Sequence, residues 1–203
     1  MPKISDETRK ARQLHILDAA TVCFARSGFH GTSMEDIVKE SGLSPGAIYC
    51  YFRGKHEIVE AISAQRHARD SALLSEFSSA SSVREGLDRL SFALIGLLND
   101  PKERERRKVS IQFWAESLLD KRVRKVAERG LRQRHRLLAS LRNAQKTGEV
   151  SPGLDVDSLS RVMLALLQGL ILQLAWEPEL DIDSFAKMAT ALIGTALGCG
   201  EDH

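Results

Sequence analysis

The fold is decided by residues 32–55, which read TSMEDIVKESGLSPGAIYCYFRGK. Thr32 and Glu35 have the spacing of a capping box, so we expect a helix to begin at about Ser33. Apolar residues then recur at helical spacing, and Gly42 predicts a left-handed residue that ends this short helix.

A second short helix is predicted directly afterwards. Ser44 is a favourable N-cap, Pro45 suits the first helical turn, and the apolar pattern continues through Ile48 and Phe52. Two short helices joined by a tight glycine turn form a helix-turn-helix, whose second helix fits the major groove of DNA. The sequence therefore predicts a helix-turn-helix over residues 33–52.

The same stretch also contains the pattern Gly-x-Ser-x-Gly, centred on Ser44, which hydrolases use as a nucleophile elbow. That motif needs an apolar strand before the serine, whereas residues 35–41 are polar and helical in pattern. A serine hydrolase acting through Ser44 is therefore a remote alternative, and we expect no enzymatic activity.

Composition indicates a soluble cytoplasmic protein with no membrane partner. The chain has 203 residues and 43% hydrophobic content, which suits one or two small domains with a sizeable core. Residues 1–10 lack the apolar region of a secretory signal, and the longest apolar run, 163–176, is short for a bilayer. The three cysteines and six histidines show no metal-ligand spacing, so we expect no metal and no cofactor.

Charge is unevenly distributed along the chain. The formal net charge is only +2, so a DNA-binding function rests on motif geometry and not on a general basic field. Residues 102–136 hold 13 basic and 5 acidic residues; they could bind an anionic effector such as an acyl-CoA, but solvated helix surfaces are commoner. Residues 3–12 read either as a basic arm that touches DNA or as a frayed terminus.

Helical periodicity covers the rest of the chain, without any strand pattern, so the fold class is all-α. The first helix is expected over about 8–27, closed by Gly28, and a long helix over about 55–77. The helix at 158–176 is apolar on nearly all sides and should be buried. With the last helix, 184–198, it is predicted to form a four-helix interface between two copies.

Two sites are predicted on these later helices. The dimer interface is expected to comprise Val162, Leu166, Gly169, Leu170, Gln173 and Ile193. An effector pocket, on helices that should surround a core cavity, is expected to comprise Leu90, Leu94, Phe113, Trp114, Glu116 and Leu167.

Residues 10–70 resemble the tetracycline-repressor (TetR) family of bacterial transcriptional regulators. The residues that carry the resemblance, by type and spacing, are Thr32, Ile37, Gly42, Ser44, Gly46, Tyr49, Tyr51, Phe52 and Lys55. The stretch FWAESLLDKRVRKV at 113–126 resembles the C-terminal domain of the betaine-regulator branch. The resemblance implies a three-helix DNA-binding domain over 10–70 and a helical ligand-binding and dimerisation domain over 71–203.

In function, the resemblance implies a homodimeric repressor that binds a palindromic double-stranded DNA operator and is released by a small-molecule effector. An activator, or a regulator controlled by a protein partner, is the alternative, which the lack of a buried cavity would favour. The implied base-reading residues are Pro45, Gly46 and Tyr49. The implied phosphate-contacting residues are Thr32, Ser33, Ser44, Ala47, Cys50, Tyr51 and Lys55.

The sequence departs from the family pattern at three positions. Ala47 replaces the common Thr or Ser, so its phosphate contact is lost or made by the backbone. Cys50 replaces a larger polar or aromatic residue, which leaves a neutral substitution or a redox switch as alternatives. Gly54 replaces Ser as a weaker helix cap. Because residues 44–52 contain no Arg, Lys, Asn or Gln, specificity should depend on Tyr49, close fit and DNA shape.

Overall fold

The structure is a computed structural model that describes residues 5–198, apart from the side chains of residues 129–134. Within this described part, all regular structure is helical, which confirms the all-α prediction. The helices are α1 Asp6–Gly31, α2 Met34–Ser41, α3 Pro45–Tyr49, α4 Lys55–Ser78, α5 Val83–Leu98, α6 Glu103–Leu119, α7 Lys121–Lys146, α8 Val156–Trp176 and α9 Ile182–Leu197.

Helix α1 begins earlier than its apolar pattern suggests. Ser5 is its N-cap, and the Ser5 hydroxyl oxygen accepts a hydrogen bond from the Thr8 amide at 3.2 Å. The predicted basic arm is therefore helical from Asp6 onward, while Lys3 lies outside the described residues. Near the other end, Gly28 has a φ of 76°, and this left-handed residue interrupts the helix where a glycine stop was predicted.

The capping box of α2 is displaced by one residue from its predicted position. Ser33, and not Thr32, is the N-cap: its hydroxyl oxygen accepts from the Asp36 amide at 3.1 Å, while the Asp36 carboxylate accepts from the Ser33 amide at 2.8 Å. The prediction that paired Thr32 with Glu35 is wrong because the Thr32 side chain is buried. Gly42, at φ 66°, ends α2 as predicted.

Helix α3 is shorter than predicted. It ends at Tyr49, and Cys50 is its C-cap, with an amide that donates to the Gly46 carbonyl. The Tyr51 and Phe52 amides both donate to the Ile48 carbonyl, so the chain tightens into a turn where a longer helix was expected. The turn leads directly into α4.

The chain forms two compact units. The first comprises residues 5–66 and 108–126; its core joins α1 to α4 through Ile16, Phe24, Ile37, Ile48 and Ile58, each at most 1% exposed. The second comprises residues 67–107 and 127–198, with leucine-rich cores built mainly by α5, α7, α8 and α9.

Helix α8 is buried along only one side. By length and composition alone it could cross a membrane, with a mean hydropathy of 1.5 over its most apolar window. Leu159, Met163, Leu170 and Leu174 are instead buried in the second unit. Val162 on the other side is 52% exposed in a single chain, and this is the side that is predicted to meet a second copy.

Candidate DNA-binding helix and effector cavity

One side of helix α3 packs in the core of the first unit, and the opposite side, called here its open face, is accessible to solvent. Ile48 is fully buried in the core of the first unit, and Phe52 just beyond the helix is 3% exposed. On the opposite side Pro45, Gly46 and Tyr49 face solvent, and Tyr49 is 49% exposed. All three predicted base-reading residues therefore lie on one accessible face.

The start of α3 is held by its N-cap. The Ser44 hydroxyl oxygen accepts from the Ala47 amide at 3.3 Å, and the Ser44 carbonyl accepts from the same amide at 3.0 Å. The Ala47 amide is therefore used within the cap and does not replace the hydroxyl that this position lacks. Since none of the described residues accepts the Ser44 hydroxyl hydrogen, that group can donate outward.

Gly46 is not required by the packing of its own chain. Its φ lies outside the left-handed region, and a Cβ added there would meet no atom within 4 Å. The same is true of Gly54, Gly96 and Gly169, so the open space alone assigns no role. What distinguishes Gly46 is its position on the accessible face of α3, where the missing side chain lets another surface approach the helix backbone closely.

Two predicted phosphate contacts have structural roles instead. The Thr32 side chain is buried, and its hydroxyl donates to the carbonyls of Cys23 at 3.1 Å and Gly28 at 2.8 Å, so the prediction that it contacts phosphate is wrong. The Lys55 ammonium donates to the carbonyls of Phe29 at 2.9 Å and Thr32 at 2.5 Å. Lys55 thereby ties the start of α4 to the junction between α1 and α2.

The remaining predicted contacts differ in how accessible their polar atoms are. The Ser33 hydroxyl donates to the Asp36 carboxylate at 2.7 Å, and hydrogen bonds from the Ser33 amide and hydroxyl lower the pKa of Asp36. Ser33 is therefore committed to the cap of α2. Cys50 is exposed at the end of α3, and Tyr51 is half-buried against the first core.

Cys23 is buried as predicted, and burial raises the pKa of its thiol.

The second unit contains a cavity of about 190 Å³. It lies among α4, α5, α8 and α9, with one leucine contributed by α7, and most of its lining side chains are aliphatic. The polar residues in the lining are Asp70, Ser91, Ser160 and Thr190. None of the four was predicted from the sequence, although Ser91 and Thr190 are hydroxyl residues within apolar helical patterns.

The predicted pocket residues separate into two groups. Leu90, Leu94 and Leu167 line this cavity. Phe113, Trp114 and Glu116 do not, because the second half of α6 belongs to the first unit, and the prediction for them is wrong. There the Arg66 guanidinium lies over the Phe113 and Trp114 rings, at 5.0 and 5.9 Å from the ring centroids, and His30 Nε2 lies 2.9 Å from Glu116.

The predicted interface residues also separate. Val162 and Gln173 are exposed and Gly169 is half-exposed, whereas Leu170 is fully buried in its own chain. Leu166 and Ile193 line the cavity. The interface prediction is therefore wrong for Leu170, which has no accessible surface for a second copy. For Leu166 and Ile193, which are half-buried, it stays a prediction. The large apolar residues that α8 and α9 do expose are Val162, Trp176, Met188 and Leu192.

A short helix anchored by its inner side, capped by serine and presented after a glycine turn defines a helix-turn-helix DNA-binding protein. Residues 16–62 match the model of bacterial regulatory proteins of the tetR family, and residues 86–198 match the C-terminal domain of BetI-type transcriptional repressors. The chain belongs to the TetR family of transcriptional regulators, as the resemblance predicted. It is not an enzyme: the family consists of regulators, and Ser44 follows a helix, so the hydrolase alternative is wrong.

Similar proteins support the same assignment over the full chain. The transcriptional regulator UidR of Escherichia coli K12 is 28% identical over 203 residues, covering 97% of this chain and 98% of UidR. The structure of Salmonella enterica GusR has a TM-score of 0.78 and 26% identity, covering 97% and 100%. A complex of SmeT, from Stenotrophomonas maltophilia, with triclosan has a TM-score of 0.76 and 25% identity, covering 92% and 91%.

Proposed function

We propose that this protein is a cytoplasmic homodimeric repressor that binds a palindromic operator through α3 and leaves it when a small molecule occupies the cavity of the second unit. The proposal rests on the solvent-accessible face of α3 within the helix-turn-helix, where Gly46 leaves the helix backbone uncovered beside the exposed Tyr49. Repression is supported by the match to BetI-type transcriptional repressors.

In the DNA complex, the proposed roles follow the accessibility of each group. Pro45, Gly46 and Tyr49 approach base edges in the major groove, where the missing side chain of Gly46 permits close contact. The Ser44 hydroxyl and the Tyr51 phenol, neither of which donates to a described residue, bind phosphates on either side. With no bidentate base reader on α3, much of the specificity comes from shape and fit.

The homodimer is proposed to form through the exposed side of α8 and α9. Val162 and Trp176 on α8, with Met188 and Leu192 on α9, are each more than half exposed in one chain. Large apolar side chains concentrated on two neighbouring elements mark an interface in a soluble protein. A two-fold axis at this interface would make the operator palindromic.

The effector role of the cavity is supported by its position in the unit that matches the BetI-type domain and by the similarity to SmeT, which has been seen with triclosan. The presence of a cavity also counts against a regulator controlled by a protein partner alone. None of the described residues of the charge-rich segment 102–136 lines this cavity, and the side chains of 129–134 lie outside the described part.

The test is selection of random DNA duplexes by the wild-type protein at two salt concentrations. We expect enrichment of a palindrome, with affinity that falls steeply as salt rises. Tyr49→Ala should lose most of the preference for that palindrome, while Phe92→Ala, which also removes an exposed aromatic ring but on α5, should retain it. Failure of the wild-type protein to enrich any sequence would contradict the proposal.

A further inference from the structure

The cavity lining restricts the chemistry of what it can hold. Its walls are mostly aliphatic, with ten leucines and one aromatic residue, Phe185. An apolar cavity of about 150 Å³ binds a benzene-sized molecule, so a volume of about 190 Å³ has room for one ring with a few further atoms. The hydrophobic effect would supply most of the binding energy.

Among the described side chains of the lining, charge is limited to a single carboxylate. Asp70 is the one ionisable residue among them, and no lysine, arginine or histidine of the described part lines the cavity. An anion would lose its hydration without a cationic partner and would lie near a carboxylate, which is strongly unfavourable. Asp70 already interacts within the protein, so a cationic ligand would have to displace that interaction. An uncharged ligand avoids both costs.

Two hydroxyl groups in the lining have no hydrogen-bond partner among the described residues. Ser91 on α5 and Thr190 on α9 both line the cavity, and neither makes a hydrogen bond to any described residue. Ser160 differs, because its hydroxyl donates to the Asp157 carbonyl at 2.7 Å. Both residues are half-buried, and their hydroxyls keep their full capacity to donate and accept hydrogen bonds. A ligand with a matching polar group could pair with them.

We propose that the cavity binds an uncharged, largely apolar molecule of about one ring, whose hydrogen-bonding group pairs with the hydroxyls of Ser91 and Thr190. The inference rests on the proposed role of this cavity as the effector site and adds the class of effector. It excludes carboxylates, phosphates and quaternary ammonium ions as preferred ligands. Ser91 and Thr190 are the residues that determine specificity for the polar group.

The experiment measures binding of four matched probes to the full-length protein by calorimetry, in the absence of DNA. The probes are 4-butylphenol, butylbenzene, 4-butylbenzoate and the 4-butylphenyl-trimethylammonium ion, which share one hydrocarbon body and differ in polar group. We expect 4-butylphenol to bind most tightly, butylbenzene about tenfold more weakly, and the two ions more weakly still.

Variants test whether the hydroxyls of Ser91 and Thr190 cause the preference for 4-butylphenol over butylbenzene. Ser91→Ala and Thr190→Val should each lower the affinity for 4-butylphenol by about three- to tenfold, and the affinity for butylbenzene should stay the same or rise slightly. The control, Ser75→Ala, removes a hydroxyl on α4 that is exposed and bonded to its own helix, and it should change neither affinity. Unchanged melting temperatures exclude general unfolding as the cause.

Each other outcome overturns the proposal. The proposal fails if either ion binds more tightly than 4-butylphenol. It also fails if the variants lose affinity for 4-butylphenol and butylbenzene equally, or if none of the four probes binds. The operator is tested separately: if 4-butylphenol binds as expected but does not release DNA, the ligand class stands and the repressor mechanism fails.

Discussion

The Lys55→Met variant distinguishes two possible roles of Lys55, which are stabilisation of the fold and contact with a DNA phosphate. The Lys55 ammonium donates to two carbonyls at the junction of α1 and α2, and it lies 5.1 Å from the centroid of the Phe29 ring. Hydrogen bonds with a charged donor contribute about 1.5–3 kcal/mol each. Because Lys55 is half-exposed, water can replace part of this hydrogen-bond energy. We therefore expect Lys55→Met to lower the free energy of unfolding by about 2 kcal/mol in total.

For a chain of this size, that loss corresponds to a fall in melting temperature of about 4–8 °C. The assay combines thermal unfolding with DNA affinity measured by fluorescence anisotropy across a salt series. A structural Lys55 lowers the melting temperature and leaves the salt slope of the folded protein unchanged. Lys39→Met, which removes an exposed charge on α2, is the control and should leave the melting temperature unchanged. The reasoning is refuted if Lys55→Met melts normally and its log–log salt slope falls by about 0.9, the value for one lost phosphate contact.

Three further perturbations follow from particular contacts. Thr32→Val removes a buried hydroxyl that donates to two carbonyls and should destabilise the protein by about 1–3 kcal/mol in chemical denaturation; an unchanged midpoint would contradict the assignment. Val162→Glu should convert the dimer to monomer in sedimentation experiments, while Phe92→Glu, at a more exposed position on α5, should remain dimeric; a Val162→Glu protein that stays dimeric would show that this side of α8 is not the interface. Hydrogen bonds from the Ser81 hydroxyl and amide and from Arg89 lower the pKa of Glu85 from 4.5 to about 2. Their contribution is therefore complete above about pH 4.5 and is lost as pH falls through about 2, so the melting temperature of wild type should fall across that window more than that of Glu85→Gln.

The helix-turn-helix could be predicted because its signals are local. Gly42 and Ser44 act on residues within one turn, and both have the predicted conformation in the structure. The one-residue error at the start of α2 has a tertiary cause. Thr32 and Ser33 are equally good caps in the sequence, and only the packing of Thr32 against the carbonyls of α1 leaves Ser33 as the cap.

The cavity and the interface were harder to predict because apolar periodicity does not show which neighbour a helix faces. Leu166 and Val162 lie one turn apart on α8, yet one lines the cavity and the other is exposed. Likewise, nothing in the pattern of α6 indicates that Phe113 and Trp114 pack with Arg66 in the first unit. Such assignments depend on tertiary packing, which a single helical pattern does not contain.

Gly46 is the residue at which docking of the open face of α3 on DNA can be measured with least disturbance of the fold. We would compare wild type with Gly46→Leu for affinity to the selected operator, after measuring both melting temperatures. Since a side chain at Gly46 meets nothing within 4 Å in its own chain, the variant should melt within about 2 °C of wild type. Its affinity for the operator should fall by at least about tenfold, or about 1.4 kcal/mol, because the new side chain holds α3 away from the bases. A stable Gly46→Leu protein that binds the operator as tightly as wild type would contradict the account.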